Sequence, residues 1–178
     1  MDDNALVQKC IEGDPRAQRM LFEKFAPKML GVCIRYTKDV EQAEDVLQDG
    51  FVKIFTKLDH YNGVGSLDGW VRRIMVNTAL DQIRKNLKHQ DDVALDQVEY
   101  KLEKDGHILE GLMEEDLLKL ISEMPIGYKT VFNMFAIEGY SHKEIADEMG
   151  ISENTSKSQY SRARAFLKAK LEELGIER

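Results

Sequence analysis

Apolar residues return every three or four positions along most of the chain, and no stretch alternates apolar and polar residues long enough to suggest a strand. Residues 3–12 form a first short helix. Asp14-Pro15 then sets an N-cap ahead of a proline at the first helical position, and Ala17, Leu21, Phe25, Leu30, Cys33 and Ile34 follow at mostly helical spacing. A third helix is predicted from Val40 to Leu58, with Ala43, Leu47, Gly50, Ile54 and Leu58 on one face. Between His60 and Gly65 the run Asn62-Gly63-Val64-Gly65 reads as a loop. Ser66 caps a fourth helix that reaches Lys88.

Beyond residue 88 the pattern weakens and apolar residues thin out as far as about Leu112, with at most a marginal helix over 94–104. The pattern resumes over 113–123, breaks at Met124-Pro125, and continues from Gly127 to Glu138, where Val131, Met134 and Phe135 are apolar and Gly139 follows. Ser141 and Glu144 form a capping box. The helix they open closes at Gly150, where a left-handed residue is easily adopted, and Ser152 caps a last helix running to about Leu174. The expected fold class is all-α: two small helical domains, 1–88 and 113–178, joined by a flexible linker, 89–112. Helix 142–149, the turn Gly150-Ile151-Ser152 and the following helix fit a helix-turn-helix, with Ile145, Ala146, Met149 and Ile151 seating one helix across the other. The second helix opens with small polar residues and then turns basic, a surface suited to the major groove. The same spacing also suits an ordinary helical hairpin.

Composition narrows the classes. The 178 residues are 43% apolar and 32% charged, too apolar for wholesale disorder. No apolar run approaches the roughly 18 residues of a membrane span. The start, Met1-Asp2-Asp3-Asn4, lacks the basic and apolar regions of a signal peptide, so a cytoplasmic location without membrane insertion is expected. Cys10 and Cys33 fall in helical stretches and read as buried thiols, with a disulfide as the unneeded alternative. His60, His89, His107 and His142 are scattered, so neither a metal nor a cofactor is called for. The net charge of −7 is unevenly spread. Residues 59–88 carry 5 basic and 3 acidic side chains, and residues 89–124 carry 3 and 11, which makes the linker acidic. Residues 152–170 hold Lys157, Arg162, Arg164, Lys168 and Lys170 against Glu153 alone. Local basic patches on an acidic chain can bind nucleic acid, and the acidic segment can compete for them.

The residues at these positions form a recognisable series. Tyr140-Ser141-His142-Lys143-Glu144-Ile145-Ala146, Gly150-Ile151-Ser152-Glu153-Asn154-Thr155, Lys157-Ser158 and Ser161-Arg162-Ala163-Arg164 resemble the promoter-reading domain of bacterial sigma factors of the two-domain, extracytoplasmic-function type. Ala43-Glu44-Asp45-Val46-Leu47-Gln48-Asp49 with Phe51 resembles the polymerase-binding helix of that family, and Trp70, Ile74, Asn77, Asp81 and Arg84 resemble its promoter-opening helix. The resemblance implies a chain that binds core RNA polymerase, contacts promoter DNA and performs no catalysis of its own. An anti-sigma factor is a further partner it allows.

Asp45, Gln48, Asp49 and Val52 share one helix face, and the resemblance implies that this face docks on the clamp coiled coil of the polymerase's largest subunit. It implies that the loop Tyr61 to Gly69 captures a flipped base of the −10 region, with Tyr61, Trp70 and Asn77 forming the pocket and Arg72, Arg73, Lys85 and Lys88 on phosphates. Asp81 and Arg84, at i and i+3, are expected to pair structurally. For the −35 region the candidates are Thr155, Lys157, Ser158, Gln159, Ser161 and Arg162. Two residues depart from the family pattern: Ser156 stands where a β-branched apolar residue is usual, and Gln159 where a further basic one is. The first is expected to weaken packing of the recognition helix or let it shift slightly, and the second to reduce phosphate contacts or change the base preference. Two other classes fit parts of the sequence: a polymerase-independent helix-turn-helix regulator, and a helical interaction protein such as an anti-sigma antagonist.

Overall fold

The computed structural model describes residues 1–89 and 114–175, and its described residues contain helices and no strand. The acidic linker expected over 89–112, and the helix weighed over 94–104, lie outside the described residues, except His89, which ends a helix. The chain divides into two compact units, Met1–His89 and Gln90–Arg178. No helix among the described residues is long and apolar enough to cross a membrane.

The first unit holds α1 (Asp3–Ile11), α2 (Pro15–Tyr36), α3 (Val40–Lys57), a 3-10 turn (Leu58–His60) and α4 (Leu67–His89). Side chains set the boundaries. Asp2, Asp14 and Asp39 each accept from backbone amides of the first turn they precede, which satisfies donors a helix leaves unpaired. Leu21 and Met29 of α2, Ala43 and Ile54 of α3, and Val71, Met75 and Leu80 of α4 are buried in one core. Each large side chain among them contributes about 1.5–3 kcal/mol. On α2 the inward positions near the end are Met29 and Val32 rather than Leu30 and Ile34; Ile34 is 41% exposed. α3 and α4 approach closely at Gly50, where a Cβ would collide with Met75 Sδ. Cys10 and Cys33 are free and buried. Burial, opposed only in part by Arg35, pushes the Cys33 thiol up to about 12.

The second unit holds α5 (Glu114–Glu123), α6 (Ile126–Phe132), a π turn (Asn133–Ile137), α7 (His142–Met149) and α8 (Glu153–Glu173). Leu120, Ile121, Met124 and Phe132 pack on Ala163, Leu167 and Leu171 of α8. The α-helix expected to continue to Glu138 instead widens at Asn133, where the amide of Glu138 reaches back five residues to the Asn133 carbonyl at 2.9 Å. The wider turn sets Phe135 flat on His142, with ring centroids 4.3 Å apart.

Candidate nucleic-acid interface

The helix-turn-helix is built by its caps. Ser141 Oγ accepts from the Glu144 amide at 3.1 Å while Glu144 accepts from the Ser141 amide at 2.8 Å. Gly150, at φ +66°, closes α7, and Ser152 Oγ accepts from the Thr155 amide at 3.0 Å to open α8. Along α8 the buried positions are Ser156, Gln159, Ala163, Leu167 and Leu171. At 100° per residue the opposite side carries Asn154, Ser158, Ser161 and Ala165. Thr155 and Arg162 flank it on one edge and Lys157 on the other. Lys157 reaches Glu153 at 3.5 Å, an exposed pair worth little.

Two expectations about α8 need correction. Gln159 is 2% exposed; one residue beyond Ser158 it turns about 100° into the core stripe, so it is not on the outer side with the other candidates. Ser156, fully buried, does not leave a weakened contact either: its Oγ lies 2.8 Å from His142 Nδ1. Burial, with help from nearby Lys157 and against Glu153, lowers the affinity of His142 for a proton, so the neutral ring is the form that packs here. Sequence reasoning missed this pair. Its one signal was a polar residue standing in an otherwise inward stripe.

In the first unit, the loop before α4 gathers the aromatic candidates. Tyr61 and Trp70 have ring centroids 5.6 Å apart at a tilt of 56°, and the Tyr61 hydroxyl donates to the Gly65 carbonyl at 3.0 Å. Trp70, Ile74, Asn77, Asp81 and Arg84 lie on the side of α4 away from the core residues Val71, Met75 and Ala79. Asn77 Oδ1 is enclosed yet has no hydrogen-bond partner among the described residues. Arg73 and Lys85 are exposed and flank this face. Arg72 is not part of it: it lies about 200° around the helix from Trp70 and is engaged within the protein. Lys88 belongs to α4, but its side chain lies outside the described residues. Asp81 pairs with Arg84 and, at 3.1 Å, with Lys53 of α3. Burial raises the Asp81 carboxyl, but these two cations outweigh it and hold it below its ordinary value.

On the outer side of α3, Asp45, Gln48 and Asp49 are exposed and Val52 is 66% exposed. Two carboxylates beside a bare valine make a face suited to a basic helix with an apolar seam. The sigma-70 region 2 family model matches residues 21–89, and the sigma-70 region 4 model matches residues 114–167. Both units thus carry their own match, in order, in one chain. The chain belongs to the sigma-70 family. This sigma factor is 29% identical to the RNA polymerase sigma-H factor of Pseudomonas aeruginosa, over 97% of its length and 95% of the relative's. It is 26% identical to the ECF RNA polymerase sigma-E factor of Haemophilus influenzae, over 98% and 97%. A sigma factor RpoE from Bartonella quintana, solved with its anti-sigma factor NepR, shares the fold with a TM-score of 0.54 at 23% identity, covering 90% of this chain and 98% of that one. As an alternative sigma factor of the extracytoplasmic-function type, the protein binds core RNA polymerase, directs it to specific promoters and assists their opening. No match favours a polymerase-independent regulator.

Proposed function

We propose a division of labour among three faces. The outer side of α3, through Asp45, Gln48, Asp49 and Val52, docks on the clamp coiled coil of the polymerase's largest subunit. The loop 61–66 and the outer side of α4 receive a base leaving the −10 stack, with Tyr61 and Trp70 supplying aromatic surface and Asn77 a hydrogen-bonding edge. Arg73, Lys85 and Lys88 hold phosphates there. On α8, Ser158, Ser161, Thr155 and Arg162 meet the −35 duplex, and Lys157 meets its backbone. The chain makes and breaks no bond; RNA synthesis belongs to the polymerase, in the cytoplasm. An anti-sigma factor belongs among the proposed partners, on the ground that the Bartonella quintana relative is held by one.

The observation that carries this division is the enclosed Asn77 oxygen, unpaired among the described residues, on the same helix side as the Tyr61–Trp70 pair. A buried polar atom without a partner costs stability, and an incoming base edge would satisfy it. Reconstituted holoenzyme on duplex and pre-melted promoters tests the reading. Arg162→Ala should weaken closed-complex formation by about 1–3 kcal/mol, and a pre-melted −10 bubble should not restore it. Asn77→Ala should leave initial capture intact and slow opening, with the bubble rescuing part of the defect. Normal transcription from duplex promoters by Asn77→Ala would reduce that residue to a brace of its own helix.

A further inference from the structure

The loop that precedes α4 has a neighbour lying before the sigma-70 region 2 match, which begins at residue 21. α1 packs against the 3-10 turn that launches the loop. It is anchored on α2 by buried Leu6, Val7 and Cys10 and by an ion pair between Asp3 and Lys24 at 2.5 Å. Its first turn reaches the loop tip: a methyl group on Gly63 would stand 3.5 Å from Asn4 Oδ1. Asn4 is exposed, so burial does not account for its place.

Within the loop, Val64 donates to Asn62 Oδ1 at 3.0 Å and Tyr61 to the Gly65 carbonyl. Gly63 and Gly65 both take positive φ, +75° and +80°. Glycines reach many other conformations as readily, so these bonds alone leave the path of the chain loosely determined. The Asn4 side chain, carried on a helix anchored by its other face, stands beside Gly63 and narrows the paths open to it. We propose that α1 is a buttress of this loop, with Asn4 the positioning residue that holds Gly63, and through it Tyr61 against Trp70, in the shape that receives an unstacked base. The proposal rests on the base-capture reading above and adds to it a helix that reading does not use.

Trp70 is the only tryptophan in the chain, so it reports on the loop without DNA. Full-length Asn4→Ala should keep the parent's melting temperature and polymerase affinity, while Trp70 emission shifts and acrylamide quenches it faster. Opening of a duplex promoter by the holoenzyme should slow about three- to tenfold, the scale of one lost side-chain contact. Asn4→Asp keeps an oxygen at the same spot and should restore both readouts. Unchanged Trp70 quenching in Asn4→Ala overturns the buttress, whatever transcription does. A loss of melting temperature as large as that of Leu6→Ala overturns it too, because Asn4 would then support the whole unit. Altered quenching with normal opening keeps the buttress and sinks base capture, which Trp70→Ala tests separately through the opening rate.

Discussion

Ser156 and His142 meet across the helix-turn-helix with 2.8 Å between Oγ and Nδ1, at a buried point of the α8 core stripe. Removing the hydroxyl strands the imidazole nitrogen, so Ser156→Ala should destabilise the second unit by about 1–3 kcal/mol in thermal melts. A change below a few tenths would show that solvent satisfies the ring instead. The same ring ties stability to pH. Its proton affinity in the folded unit lies below the ordinary imidazole value of 6.5. As pH falls through about 6.5 the unfolded chain takes up a proton that the folded unit refuses, so stability is full above that point and declines below it. Melting of the second unit should therefore begin to drop as pH falls through about 6.5, and His142→Gln should flatten that part of the curve. An equally steep curve in the variant would assign the dependence to other groups.

Helix boundaries were legible because each rests on a local rule: Asp14 before Pro15, Ser141 with Glu144, Gly150, Ser152. What local rules do not reach is rotation and distance. Gln159 and Arg72 sit one or two residues from true surface positions, and about 100° or 200° of rotation removes each from its face. The π turn at Asn133 has no signature of its own, since the same apolar residues suit an α-helix. The neighbours of Gly63 and Ser156 come from other helices, so no window along the chain contains them. Gly50 shows the same limit from the packing side. The periodicity places it inward, but only the structure shows Met75 filling the space its side chain lacks. Met75 is fully buried, so its thioether must shift within the core to admit a methyl group. Gly50→Ala should cost about 1–3 kcal/mol through overpacking, more than the roughly 1 kcal/mol gained in helix propensity. Combined with Met75→Ala the penalties should fall well short of their sum in a denaturation cycle; simple additivity would mean that the two helices do not touch there.

For the whole molecule, charge is the quantity that no single helix carries. The excess of acid over residues 89–124, 11 acidic against 3 basic, belongs to the same chain as the basic surface of α8. We predict that neutralising the acidic residues within 91–105 raises the affinity of the free protein for promoter duplex. The gain should be largest near 0.01 M salt, where screening sets in only beyond about 30 Å, and shrink near 0.1 M, where it sets in at about 10 Å. Fluorescence anisotropy across that range reads the effect, and identical curves for both proteins would remove the segment from DNA binding. One further consequence follows from the way α8 divides its residues. Ser156, Gln159, Ala163 and Leu167 keep the unit folded, while Asn154, Ser158 and Ala165 face away from that core. If the outward residues meet the −35 duplex as proposed, a duplicated copy of such a chain can change them, and with them its promoter address, while the inward ones stay as they are. Regulons can then branch from one scaffold by point substitution, without any ancestor passing through an unfolded form.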